Sequence, residues 1–178
     1  MKKPVMLPVA AIAAAFVLLL GLSFALHGAG TARAQAEHVR IMQTILPGSN
    51  EFEVEPYTGE DANIRSIHKA ENGFVVETVT AGYAGDIRMM VGVSNEGTVT
   101  GLVVMDMEET YGLGAKALTD HRFLSQMLNT SGEAEVGTNV DAISGATVTS
   151  KAVVRSVNSA VAFVTGADVS SSATSWGG

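Results

Sequence analysis

Residues 64–107 read IRSIHKAENGFVVETVTAGYAGDIRMMVGVSNEGTVTGLVVMDM, and their periodicity decides the fold. Ile64 to Ala70 and Phe74 to Ala81 are runs rich in β-branched residues, separated by Glu71-Asn72-Gly73. Asn-Gly between two such runs is a hairpin signal. Ile87, Met89, Val91 and Val93 then alternate with Arg88, Met90, Gly92 and Ser94, the two-residue repeat of a strand. After the turn Asn95-Glu96-Gly97, Val99, Val103, Met105 and Met107 line one side of a further strand. The expectation is a three- or four-stranded antiparallel meander with one apolar face.

Downstream the period lengthens to that of helices. One helix is expected from about Ala115 to Asn129, with Ala117, Leu124, Met127 and Leu128 on one side and His121 on its inner face. A second is expected from about Val148 to Val164, with Val153, Val157, Val161 and Val164 inward and Lys151, Arg155 and Asn158 outward. Upstream, Val39, Met42 and Leu46 recur at helical spacing between Ala36 and Leu46, and Pro47-Gly48 stops the pattern. Ser49 to Asn63 is acidic and turn-rich and assigns no element. Strands first and helices after is the α+β order.

Mean hydropathy is +0.26 although 16% of residues are charged, so the apolar residues are concentrated somewhere. They lie in Pro4 to Leu26, which carries no charged side chain. As a helix that run would be roughly 34 Å long, the thickness of a bilayer core. Lys2 and Lys3 precede it, so the positive-inside tendency places the N-terminus in the cytoplasm and everything after about His27 across the membrane. Ala32-Arg33-Ala34 and Ala34-Gln35-Ala36 fit a signal-peptidase pattern, but the apolar run exceeds the usual signal core of about 7–15 residues, which favours an uncleaved anchor. The expected organisation is a cytoplasmic start and transmembrane anchor (1–30), an extracytoplasmic helix and connecting segment (31–63), a folded domain (64–166) and a Ser/Gly-rich, disordered tail (167–178).

Composition removes whole classes of chemistry. With no cysteine, thiolate zinc sites, iron–sulfur clusters, disulfides and thiol catalysis are excluded. His27, His38, His68 and His121 are scattered without metal-ligand spacing, so no metal site is expected. Beyond the anchor, nine basic residues (11 less Lys2 and Lys3) stand against 18 acidic ones, the wrong sign for a nucleic-acid binder. P-loop, Rossmann and nucleophile-elbow patterns are absent, and no independent catalytic site is expected.

One segment carries chemistry. Asp141-Ala142-Ile143-Ser144-Gly145-Ala146-Thr147-Val148-Thr149-Ser150 is a run of hydroxyls and small residues feeding a helix N-terminus. Unpaired N–H groups and the helix dipole favour an anion there, and a phosphate is the obvious candidate. The plainer alternative is that Ser144, Thr147, Thr149 or Ser150 is simply an N-cap.

The order Asp-x-x-Ser-Gly-Ala-Thr resembles the target of the flavin transferase that esterifies FMN to threonine. Gly82-Tyr83-Ala84-Gly85-Asp86-Ile87 and Glu109-Thr110-Tyr111-Gly112-Leu113-Gly114-Ala115-Lys116 resemble two other hallmarks of the FMN-binding domain family, with Tyr111 where that pattern carries proline. With one N-terminal anchor and this length, the chain resembles the G subunits of Rnf electron-transport complexes. The C subunit of the sodium-translocating NADH:quinone reductase is related to them but usually longer. The resemblance covers the anchor and most of residues 35–165.

It implies FMN phosphoester-linked to Thr147, with Asp141, Ser144, Gly145, Ala146 and Thr147 read by the transferase. It further implies cofactor contacts from Glu109, Thr110, Gly112, Leu113, Gly114, Lys116, Ser144, Gly145, Ala146, Val148 and Thr149. The implied role is electron transfer within a membrane-bound, ion-translocating ferredoxin:NAD oxidoreductase, with its other membrane and peripheral subunits as partners, at the cell (inner) membrane. A membrane-tethered module holding FMN or another phospholigand outside such a complex is the alternative.

Overall fold

The computed structural model describes residues 33–107 and 114–167. The expected anchor, residues 108–113 and the tail from 168 lie outside the described residues. The elements are a helix α1 (residues 33–45), five strands β1 (Glu53–Glu55), β2 (Ile64–Ala70), β3 (Gly73–Ala81), β4 (Asp86–Ser94) and β5 (Val99–Met107), and helices α2 (Gly114–Thr119), α3 (His121–Ser125) and α4 (Thr147–Thr165). The strands form one antiparallel sheet in the order β1-β2-β3-β4-β5, the meander expected of α+β architecture. β1 is an addition: three largely exposed residues, Glu-Val-Glu, carry no periodic signal, and pairing with Ile67–Lys69 of β2 makes them a strand.

The chain divides after Arg40 into two compact units, and the part from Ile41 onward holds the sheet and both its coverings. On one face Ile67, Val76, Ile87, Met89, Val91 and Val93 pack with Val153, Val157 and Val161 of α4 and with Phe123 and Met127. Each such buried side chain contributes on the order of 1.5–3 kcal/mol relative to exposure. The opposite face is also apolar. Val75 and Met90 pack there with Met42, Ile45 and Leu46, flanked by Phe52, Val103 and Met105.

The sheet thus has two covered faces rather than the one expected, and two glycines make room for the second covering. Gly92 and Gly101 are register partners on β4 and β5. A Cβ on Gly92 would sit 2.3 Å from the Ile45 carbonyl oxygen, and one on Gly101 2.6 Å from the Ile45 Cα. Thr100 Oγ1, beside them, donates to that same carbonyl at 2.6 Å.

α4 lies antiparallel to β3. Near its start, Thr80 Oγ1 donates to the Ala152 carbonyl at 3.2 Å and shares a 2.9 Å hydrogen bond with Ser156 Oγ. Near its end, Phe163 meets Phe74 edge to face at 5.6 Å and Tyr57 at 6.0 Å. Gly166, in the left-handed region at φ 69°, terminates it.

The helix expected over Ala115–Asn129 is two short helices. Asp120 divides them, because its Oδ1 accepts from the backbone N–H groups of Arg122 at 2.9 Å and Phe123 at 3.1 Å and so starts a new helix. His121, expected on an inner face, is exposed as a result. Asn158, expected outward, is buried and donates to the Ala134 carbonyl at 2.8 Å.

Candidate functional site

One end of the sheet brings together the 82–87 segment, the last residue of β5 and the start of α4. Thr80, bonded to the start of α4, pairs with Ile87, and Ile87 pairs with Met107 at the end of β5. The β3–β4 tip (residues 82–85), closed by the Gly82 N–H donating to the Gly85 carbonyl at 2.8 Å, therefore lies at the same end as the exit of β5 and the N-terminus of α4. α2 packs against α4 as well. Tyr83 at the hairpin tip, Met107 and Val148 are all solvent-exposed apolar or aromatic side chains.

The loop entering α4 is held at three points. The Asp141 N–H donates to Gln126 Oε1 at 2.8 Å, while Gln126 Nε2 donates to the Asp141 carbonyl at 3.3 Å. The Ala146 N–H closes a turn onto the Ile143 carbonyl at 2.9 Å. Ser150 Oγ accepts from the Ile143 N–H at 3.2 Å and donates to the Ala146 carbonyl at 2.9 Å, so its hydroxyl staples the loop to the first turn of the helix. Gly145 has φ 80°, a left-handed conformation that disfavours any residue with a Cβ.

None of the four hydroxyl residues considered as N-caps occupies that position. The cap residue is Ala146, with no side-chain hydrogen bond to the helix start. α4 thus begins at Thr147 with its first N–H groups uncapped by any side chain, a local field that favours an anion. Thr147, Ser144 and Gly145 are exposed, whereas Ala146 and Thr149 are buried. Thr149 Oγ1 is shielded from solvent and has no hydrogen-bond partner.

The other expected site residues divide by location. Glu109, Thr110, Gly112 and Leu113 lie outside the described residues. Gly114 is the buried first residue of α2, and Lys116 falls within that helix. Lys151 is exposed one turn beyond Thr147. The structure adds Gln126 to the site, a residue that carries no motif signal, and two turns beyond Thr147 α4 carries Arg155. The latter continues the i, i+4, i+8 line from Thr147 through Lys151, a spacing that could have marked it as more than an outward side chain. It is half-buried, and its Nε is shielded and unpartnered. Chemically, the end of α4 offers an exposed hydroxyl, helix N–H groups and a cationic stripe.

A family model described as FMN-binding domain matches residues 82–162, from the β3–β4 tip through most of α4. The G subunit of the ion-translocating oxidoreductase complex of Methanosarcina acetivorans is 36% identical over 175 residues, covering 89% of this chain and 90% of its own. The chain belongs to the family of G subunits of ion-translocating oxidoreductase complexes. Two further members of this family align over a shorter region. The G subunit of the sodium-translocating ferredoxin:NAD oxidoreductase complex of Acetobacterium woodii is 37% identical over 98 residues, covering 50% of this chain and 47% of its own. That of the proton-translocating ferredoxin:NAD oxidoreductase complex of Clostridium ljungdahlii is 36% identical over 99 residues, covering 52% and 53%. The chain spans about half the length of those two relatives.

Proposed function

We propose that this protein carries FMN as a phosphoester on Thr147 and relays electrons within a membrane-bound ferredoxin:NAD oxidoreductase complex. The observation that carries the reading is the start of α4: an exposed threonine as the first helical residue, after a left-handed glycine and with no side chain capping the helix. The residues there fit the group. A phosphate esterified to Thr147 Oγ1 would accept from the helix N–H groups, with Lys151 offsetting its charge.

FMN supplies the redox chemistry when bound, and this chain's residues hold and orient it. Gly145 and the buried Ala146 keep the backbone uncluttered beside Thr147. Glu109, Thr110, Gly112 and Leu113 from the β5–α2 connection, with Gly114 and Lys116 of α2, would meet the ring. Asp141 and Ser144, both exposed, are available for the flavin transferase to read.

Residues 4–26 would anchor the protein with its N-terminus in the cytoplasm and the FMN domain across the membrane. Among the described residues no helix is long and apolar enough to span a bilayer. A single apolar helix without ionisable side chains offers no ion path, so ion translocation would belong to partner subunits. The relatives fit this division, since the names of two of similar identity specify different coupling ions, sodium and protons. Denaturing electrophoresis of the chain co-produced with the transferase tests the reading. A fluorescent flavin band is expected for the native sequence and none for Thr147→Val.

A further inference from the structure

The chain has no cysteine, so its oxidisable sulfur resides in eight methionine thioethers. Met42, Met89, Met90 and Met127 are buried in the two cores, and the half-buried Met105 packs against the second. Met107 stands apart at 38% relative exposure. A β-bulge decides where it points.

β5 pairs with β4 in unbroken register from Gly101 to Val104, skips Met105, and resumes with Asp106 opposite Arg88 and Met107 opposite Ile87. Strict alternation, as expected from the sequence, would set Met107 beside Val103 and Met105 on the second face. The extra residue reverses that phase. Residues directly opposite share a face, so Met107 lies on the side of Ile87, which belongs to the core beneath α4. The row continues to Thr80, which pairs with Ile87 and donates to the Ala152 carbonyl in the second turn of α4. Two strand spacings, roughly 10 Å, thus separate Met107 from the strand position that touches the start of α4. An exposed thioether therefore sits at the flavin end, on the face that α4 covers.

A thioether has a chemistry that leucine or valine lacks. Its sulfur attacks hydrogen peroxide, an S–O bond forms as the O–O bond breaks, and water leaves, so the sulfur gives two electrons to the peroxide and becomes a sulfoxide. FMN on Thr147 would supply the oxidant, because dioxygen takes two electrons and two protons from a reduced flavin and departs as hydrogen peroxide. We propose that Met107 is a site of reversible oxidation, an exposed thioether at the flavin end that takes up peroxide formed there. The exposure of Met107 follows from the fold alone, whereas the source of the peroxide rests on the proposed attachment of FMN. Oxidation replaces an apolar side chain with a polar one on the last residue of β5, directly before the segment assigned to the ring.

The test uses the full-length chain in detergent micelles and reads each methionine by peptide fragmentation mass spectrometry. In a first arm, hydrogen peroxide is added to chain made without flavin transferase. Met107 should become sulfoxide at least about tenfold faster than Met42, Met89, Met90 or Met127, whose sulfurs are reached only through local opening, and faster than Met105. The pair of methionine sulfoxide reductases, one for each sulfoxide epimer, should then restore the thioether. In a second arm, chain made with the transferase is reduced with stoichiometric dithionite and reoxidised in air, with no peroxide added. Met107 sulfoxide should exceed that in Thr147→Ala carried through the same steps. Equal rates at Met107 and the buried methionines, a faster Met105, a sulfoxide that resists both reductases, or air reoxidation that leaves Met107 of the flavin-loaded chain no more oxidised than in the variant would each overturn the proposal. Flavin absorbance of the loaded chain is recorded separately, so a chain without covalent flavin counts against the assignment of Thr147 and leaves the first arm to decide Met107.

Discussion

The side-chain amide of Gln126 grips the backbone of Asp141 by both its groups, accepting from the N–H at 2.8 Å and donating to the carbonyl at 3.3 Å. Through this contact the turn after α3 sets where the loop to Thr147 begins. Gln126→Ala removes both bonds. Because Asp141 is exposed, the expected loss is at the modest end, about 1 kcal/mol of unfolding free energy in urea. Flavin incorporation per folded chain should fall as well, while Gln126→Glu, which keeps the acceptor for the Asp141 N–H, should fall less. Unchanged incorporation in Gln126→Ala would separate the clamp from the function of the loop.

Gly145 is a conformational requirement. At φ 80° a Cβ costs about 1–2 kcal/mol, so Gly145→Ala should lower stability by that amount and Gly145→Asn by less, since asparagine tolerates the left-handed region better. Chemical denaturation of the two variants side by side checks the order.

The hydroxyl pair under α4 behaves as a unit. Thr80→Val strands the Ser156 hydroxyl in a fully buried position and should cost about 1–3 kcal/mol. Adding Ser156→Ala should recover part of that loss, because no unsatisfied donor then remains. A double-mutant cycle reads the coupling, and strict additivity would show that the two hydroxyls act independently.

Close approach of Ile45 makes Gly92 and Gly101 intolerant of side chains. Gly101→Ala should destabilise by about 1–3 kcal/mol or more, since the atoms met are backbone and cannot swing aside. Gly137→Ala is a useful contrast in which a Cβ meets nothing within 4 Å, leaving only the cost of its φ of 89°.

The alternation of Ile87, Met89, Val91 and Val93, with the Asn-Gly signal at Asn72-Gly73, makes β2 to β5 and their order legible in the sequence. What escapes has physical reasons. β1 is three residues long and exists by pairing alone. The second apolar face is hidden because Val75, Met90, Val103 and Met105 fall on both phases of near-continuous apolar runs, where period-2 reasoning cannot choose a side. Asp120 is a visible N-cap signal inside an otherwise helical pattern, and weighting it would divide the Ala115–Asn129 helix. Asn158 is placed outward by polarity, although a buried amide is acceptable once its Nδ2 meets the Ala134 carbonyl. At the site, the Asp141–Thr147 motif is readable as a string, whereas the Gln126 clamp joins residues 15 apart and needs the fold.

Intact mass spectrometry of the chain produced with and without flavin transferase tests the attachment of FMN to Thr147 directly. With the enzyme, the native chain should gain the mass of one FMN less one water, the modified peptide should contain Thr147, and Thr147→Ala should gain nothing. A native chain that binds FMN yet keeps its unmodified mass, or a Thr147→Ala chain that still carries covalent flavin, would contradict it.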